Sequence, residues 1–280
     1  MKIRANGVRL YFDVDGLGLV HCGSAMRQRP TVVALHGGPG VDHVGIKRVL
    51  APLTEVAQVI WLDHRGNGRS DIASPETWNL ATWGDDVRQF CDALGIEKPV
   101  VLGVSFGGLV AQSYATRYPE HVGKLVLAGT TARFHAELAF ATFAKLGGPK
   151  AEDVARRFFA DCRGDIFEEF VATCMPLYTR VTRPAEGDPG EELVRLDVAR
   201  HFVAGEWHRF DFRSALAAIA CPTLVLAGEE DPVFPSLGAE ELAAGIRGDL
   251  VKLERFAGIG HNVLSESPRA MEMVREFVAG

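Results

Sequence analysis

Six short runs rich in β-branched and aliphatic residues recur along the chain: TVVALHG (31–37), QVIWLDHRG (58–66), PVVLGVS (99–105), KLVLAGT (124–130), PTLVLAGEED (222–231) and LVKLERFAG (250–258). In most of them the apolar positions are nearly continuous rather than alternating, as in strands covered on both faces. Between them the spacing changes to that of helices, in IKRVLAPLTEVA, ATWGDDVRQFCDALG, LVAQSYATRYPEH, LGAEELAAGIRG and PRAMEMVREFVAG. This alternation predicts an α/β fold, with a mostly parallel, doubly wound sheet carrying helices on both sides. VRLYFDVDG, following the Asn6-Gly7 pair, predicts an opening β-hairpin over residues 2–14. Residues 15–30 show little pattern and read as a loop.

The rhythm breaks once. From Arg133 to Phe212 the patterns are helical, with no convincing strand, and are punctuated by GGP (147–149) and RPAEGDPG (183–190). This predicts a helical cap over residues 133–212, inserted into a core made of residues 1–132 and 213–280. Ten of the sixteen phenylalanines fall in the insert. They serve a core of its own, line a pocket, or do both.

Composition narrows the function classes. The 280 residues are 47% hydrophobic and 24% charged, with a net charge of −6 and no cluster of basic residues. Nucleic acid and anionic membranes are therefore not the expected partners. MKIRANGVRLYF has no apolar leader core, and no run approaches the length needed to cross a bilayer. The five cysteines are scattered without a CxxC pair, which predicts buried thiols rather than a disulfide or zinc framework, in a reducing cytoplasm. The expectation is a small-molecule substrate, no metal or cofactor, and a monomer or homodimer.

The chemistry centres on Gly103-Val104-Ser105-Phe106-Gly107, a G-x-S-x-G between a predicted strand and a predicted helix. Alone, the pentapeptide fits a plain turn as well as a nucleophile. A serine nucleophile needs a base, a group to orient that base, and donors for the oxyanion. In a doubly wound sheet these come from beyond the carboxyl ends of the strands. Of nine histidines, His261 in FAGIGHNVLSESP lies at that edge. Asp231 in VLAGEEDPVFP follows a strong apolar strand, with Glu229 and Glu230 as neighbouring alternatives. The order Ser105, Asp231, His261 is serine–acid–histidine. The glycines of His36-Gly37-Gly38-Pro39-Gly40 let backbone approach a ligand, so the N–H groups of Gly38 and Phe106 are the expected oxyanion donors. His43, Phe140, Phe143 and Trp207 are expected to contact substrate.

HGGPG, DHRGNGRS (63–70), GVSFGG and GEEDP…GH together resemble the α/β-hydrolase superfamily, in particular its proline iminopeptidase-like branch. The resemblance spans the chain outside the insert, and HGGPG is its most specific part. It implies an α/β-hydrolase fold with a helical cap after KLVLAGT, a Ser105–Asp231–His261 triad, and Gly38 with Phe106 as oxyanion donors. It also implies loop-fixing roles for Asp63, Arg65 and Ser70, with His36 orienting its own loop. Some aminopeptidases of the branch carry a glutamate directly after the catalytic aspartate, and others use cap glutamates, to grip a free amino terminus. Here Pro232 follows Asp231, leaving Glu168, Glu169 and Glu206 as cap carboxylates. The primary expectation is therefore a serine hydrolase acting on an ester, lactone or amide of a mostly apolar acyl compound. A proline iminopeptidase, a metal-independent lactonase and a hydrolase-like ligand receptor are the alternatives.

Overall fold

The computed structural model describes residues 1–181 and 192–280, so the RPAEGDPG stretch lies outside the described residues. The strands are β1 (Lys2–Ala5), β2 (Val8–Asp15), β3 (Leu19–Cys22), β4 (Ala25–Gln28), β5 (Thr31–Leu35), β6 (Gln58–Leu62), β7 (Val100–Val104), β8 (Lys124–Ala128), β9 (Thr223–Gly228) and β10 (Val251–Phe256). Eight of them form one sheet in the order β1-β2-β6-β5-β7-β8-β9-β10. Each of the six apolar runs supplies one strand of its parallel part. The opening hairpin adds an antiparallel edge through β2 against β6.

The helices are α1 (Val44–Leu50), α2 (Leu80–Leu94), α3 (Phe106–Arg117), α4 (Ala136–Ala160), α5 (Ile166–Thr173), α6 (Leu196–Ala204), α7 (Ser236–Gly245), α8 (Val263–Glu266) and α9 (Pro268–Ala279). Near-continuous apolar strands are needed because each strand feeds two cores. Val33 and Leu35 of β5 join Trp83, Phe90 and Leu109 on one face. Val32 and Ala34 of the same strand join Trp61, Met273 and Val274 on the other. The helix starts carry their own signals. Asn79 accepts the N–H of Thr82 at 2.9 Å to cap α2, and Ser267 accepts that of Ala270 at 3.3 Å just before Pro268 opens α9.

Two segments differ from expectation. Residues 15–30 are not a loop throughout, because β3 and β4 pair there as a separate antiparallel ribbon. Nearly all of its residues are exposed, so it carries no apolar alternation to read. IKRVLAPLTEVA divides into α1 and a 3₁₀ turn over Ala51–Glu55, because Pro52 has no N–H to continue the α-helix.

Helices α4, α5 and α6 come between β8 and β9. The GGP signal marks a bend inside α4, where Gly148 takes φ 76° just before Pro149. The two ends of this helical insert meet. Arg133 and Asp211 form an isolated antiparallel bridge, and the N–H of Phe212 donates to Ala132 O at 2.9 Å. The insert therefore leaves and rejoins the sheet at one point, above the carboxyl ends of the strands. No helix among the described residues is long and apolar enough to cross a membrane.

Candidate active site

Ser105 sits between β7 and α3 with φ 54° and ψ −120°, a backbone region that costs a non-glycine residue about 1–3 kcal/mol. The bend is possible only because its neighbours lack side chains. A Cβ on Gly103 would lie 2.3 Å from Gly107 O, and one on Gly107 would lie 2.1 Å from Leu35 O. The amide of Ser105 donates to Ala128 O at 3.0 Å, which ties the bend to the end of β8. The hydroxyl thus stands at the carboxyl edge of the sheet, at the positive end of α3.

His261 and Asp231 reach the same point from the loops after β10 and β9. His261 Nε2 lies 2.9 Å from Ser105 Oγ, and its Nδ1 lies 2.7 Å from Asp231 Oδ2. The other carboxylate oxygen, Oδ1, accepts the N–H groups of Val233 at 2.8 Å and Phe234 at 2.9 Å. Asp231 is thereby fixed with one oxygen for the backbone and one for the imidazole. Glu230, a sequence alternative, is turned away and pairs with Arg180 at 2.9 Å.

Gly38, at φ 110°, shapes the loop after β5 so that it passes over the serine. A Cβ on adjacent Gly37 would lie 3.5 Å from Ser105 Cβ. Among the described residues no acceptor takes the N–H of Gly38 or of Phe106, the first residue of α3. DHRGNGRS props this loop. Asn67 Oδ1 accepts Gly40 N–H at 2.6 Å, His36 Nε2 accepts His64 N–H at 3.2 Å, and His36 Nδ1 lies 2.7 Å from Gly37 O. Arg65 grips Asp86 through two bonds of 2.9 and 2.6 Å, and Ser70 Oγ donates to Asp63 O at 2.6 Å. Burial pushes the Asp63 carboxyl up, but its bond from His43, the nearby His36 and the Arg69 N–H outweigh this, so it ends lowered. Burial lowers the His36 imidazole, and that of His64 much further.

A cavity of about 530 Å³ opens over Ser105 and His261. Its wall is mostly apolar, with Ile46, Val49, Phe158, Phe159, Phe170 and Trp207 prominent. Trp207 therefore stands where a substrate contact was expected. Three other residues expected to contact substrate lie away from this wall. His43 does not line the cavity; its Nδ1 lies 2.7 Å from Asp63 Oδ1 and its Nε2 3.2 Å from Asp13 Oδ2, because carboxylates on neighbouring loops draw the ring the other way. Phe140 and Phe143 also do not line it. Phe140 packs on Phe134 and under Arg156, while Phe143 packs on Phe170, so both belong to the insert's own core.

The flagged insert glutamates face elsewhere. Glu168 is exposed, Glu169 pairs with Arg157 at 2.8 Å, and Glu206 accepts Leu80 N–H at 2.7 Å to cap α2 from outside. The carboxylates that do line the cavity are Asp42 and Glu192, which the sequence reading missed. Asp42 is bound by Arg69 at 2.7 Å and by Leu193 N–H at 3.2 Å. The exposed Glu192 is held above its ordinary value by partial desolvation and by the charge of Asp42. Among the described residues no lysine or arginine lines the cavity. Neither Glu192 nor the cavity-lining Tyr178 carries a local motif, so chain pattern alone had no means of finding them.

A strand-edge serine with an imidazole and a carboxylate in line is an arrangement that hydrolases of the α/β class use. The α/β-hydrolase-fold family matches residues 30–268, and the chain belongs to that family. It is 30% identical over 273 residues to the 2-hydroxy-6-oxononadienedioate/2-hydroxy-6-oxononatrienedioate hydrolase of Paraburkholderia xenovorans, covering 95% of this chain and 92% of that one. It is 27% identical over 248 residues to the proline iminopeptidase PfmaB of Pestalotiopsis fici, covering 85% and 88%. The crystal structure of proline iminopeptidase from Mycobacterium smegmatis superposes with a TM-score of 0.73 at 21% identity, covering 99% of this chain and 97% of that one. The protein is thus a hydrolase of the α/β fold, similar to the proline iminopeptidase-like branch.

Proposed function

We propose that the protein is a serine hydrolase that cleaves an ester, lactone or amide of a mostly apolar acyl compound, with residues 133–212 acting as a cap over the site. The observation that carries this reading is the continuous relay from Ser105 Oγ through His261 to Asp231, at 2.9 and 2.7 Å. Ser105 Oγ attacks the carbonyl carbon while His261 Nε2 takes its proton. Asp231 keeps the Nδ1 proton in place and stabilises the imidazolium. The N–H groups of Gly38 and Phe106 receive the charge that develops on the carbonyl oxygen, each donor lowering the barrier by about 3 kcal/mol. His261 then protonates the leaving alcohol or amine. A water that gives its proton to His261 attacks the acyl carbon, and collapse of that intermediate returns the proton to Ser105 and releases the acid. The apolar wall and the absence of a lining cation among the described residues favour an uncharged acyl group.

One observation favours a second reading. Glu192 and Asp42 line the cavity and would attract an ammonium, which suits removal of an N-terminal residue, the activity named for several relatives. Steady-state rates on p-nitrophenyl esters and on Pro-p-nitroanilide discriminate between the two. The first reading expects ester hydrolysis to dominate kcat/KM by tenfold or more, and the reverse order selects the second. Ser105→Ala is expected to abolish both activities with an unchanged unfolding temperature, and turnover at the wild-type rate in that variant refutes both readings. Tight ligand binding with negligible wild-type turnover selects a receptor.

A further inference from the structure

The base of the proposed relay is held by more than Asp231. Glu266, the last residue of α8, is buried at 1% exposure and takes no part in the chemistry described above. Its Oε2 accepts the N–H groups of Gly260 at 3.1 Å, Arg180 at 2.7 Å and Val181 at 3.0 Å, and its Oε1 accepts that of Asn262 at 3.2 Å. Gly260 and Asn262 flank His261 on either side. Arg180 and Val181 belong to the segment that descends from the cap after Tyr178.

This segment meets the histidine loop at every residue. His261 N–H donates to Tyr178 O at 2.7 Å, and the Tyr178 ring stands edge-on to the imidazole at 5.1 Å between centroids. Asn262 Nδ2 donates to Thr179 Oγ1 at 2.9 Å. Arg180 Nε reaches Glu230, next to Asp231, at 2.9 Å. The approach is close enough that a Cβ on Gly260 would lie 2.3 Å from Tyr178 O. A buried carboxylate accepting four backbone N–H groups through charge-assisted bonds is a strong local tie, and it joins two segments more than 80 residues apart in the chain.

We propose that Glu266 is a positioning residue for His261: its carboxylate clasps the loop that carries the base to the cap segment Tyr178–Val181, so that the imidazole is aligned with Ser105 only while that segment is seated. This rests on the reading of Ser105 and His261 as nucleophile and base. A carboxylate suits this place because each of these four backbone groups is a donor. An amide of the same shape would turn its own N–H bonds toward some of them.

The test compares wild type with Glu266→Gln by three measurements: kcat and KM on a neutral p-nitrophenyl ester, the rate constant for labelling by a fluorophosphonate, and the low-field proton resonance of the His261–Asp231 bond. In Glu266→Gln, kcat and the labelling rate are expected to fall about 10- to 100-fold, as misplacement of a reacting group by about 1 Å does. KM is expected to change less than threefold, and the proton resonance to broaden or shift. A folded Glu266→Gln with wild-type kcat, labelling rate and resonance overturns the proposal, even if its unfolding temperature drops. Should that variant not fold, Thr179→Val, which removes only the acceptor of Asn262, carries the test. It is expected to slow labelling about threefold or more and to shift the same resonance, and no change in either overturns the proposal. If wild type itself is not labelled at Ser105, the underlying assignment of the nucleophile fails instead.

Discussion

Replacing Asp231 by asparagine changes few atoms, and the structure dictates what the amide must do. The carboxylate Oδ1 accepts two backbone N–H groups, from Val233 at 2.8 Å and Phe234 at 2.9 Å, while Oδ2 faces His261 Nδ1 at 2.7 Å. An asparagine has one oxygen for these three partners. Turning that oxygen to the histidine would set its NH₂ against two buried donors, at about 1–3 kcal/mol for each group left unsatisfied. The oxygen is therefore expected to stay with Val233 and Phe234, by about 2–6 kcal/mol. The NH₂ then points at Nδ1, which must become an acceptor, and the ring proton moves to Nε2. An imidazole protonated on Nε2 donates to Ser105 and cannot take its proton. Asp231→Asn should lower kcat about 10⁴-fold, a rise of about 5 kcal/mol in the barrier, with little change in stability. Initial rates on p-nitrophenyl acetate give the loss, and the ¹⁵N shifts of the imidazole report the tautomer. A folded Asp231→Asn protein within tenfold of wild type, or one that keeps the Nδ1–H tautomer, refutes this reasoning.

Other consequences follow from the packing around the site. Gly107→Ala would place a Cβ 2.1 Å from Leu35 O, between a strand end and a helix start that cannot both retreat, and should cost about 3 kcal/mol or more. Urea unfolding measures it, and a loss under 1 kcal/mol contradicts the packing of the bend. His64 is buried with neither ring nitrogen hydrogen-bonded among the described residues, and burial depresses its proton affinity well below the ordinary value. Its contribution to stability is complete above the unfolded pKa of about 6.5 and is lost as pH falls below that, because the unfolded chain binds a proton that the folded one refuses. The expected loss is about 1.4 kcal/mol per pH unit down toward the folded pKa, and His64→Gln should flatten the slope between pH 6.5 and 5; an unchanged slope contradicts it.

The parallel sheet was legible because most of its strands are buried on both faces and show as apolar runs, the edge strand β10 being the exception. The residues at the proposed site were legible for a related reason. Ser105, Asp231 and His261 each stand just beyond such a run, and a parallel sheet gathers those ends on one edge. The direction in which a side chain points was not legible. His43 follows the correct strand, yet Asp63 and Asp13, from other parts of the chain, decide its direction. Phe140 and Phe143 lie on the same helix pattern as the cavity-lining Phe158 and Phe159, and only the bend at Gly148 and the packing of α5 separate inward from outward. The β3–β4 ribbon was invisible because it buries almost nothing. Glu266 was equally silent, since its bonds to Gly260, Asn262, Arg180 and Val181 are all to backbone groups, which no side-chain pattern records.

The central claim is that His261 and Asp231 make the hydroxyl of Ser105 a nucleophile. Peptide mass mapping of the enzyme after complete inactivation by a fluorophosphonate tests it most directly. One phosphonyl group per chain on the peptide containing Ser105, formed in proportion to the activity lost, is the predicted result. Full activity after exhaustive treatment, or a label on another residue with Ser105 unmodified, would contradict the account.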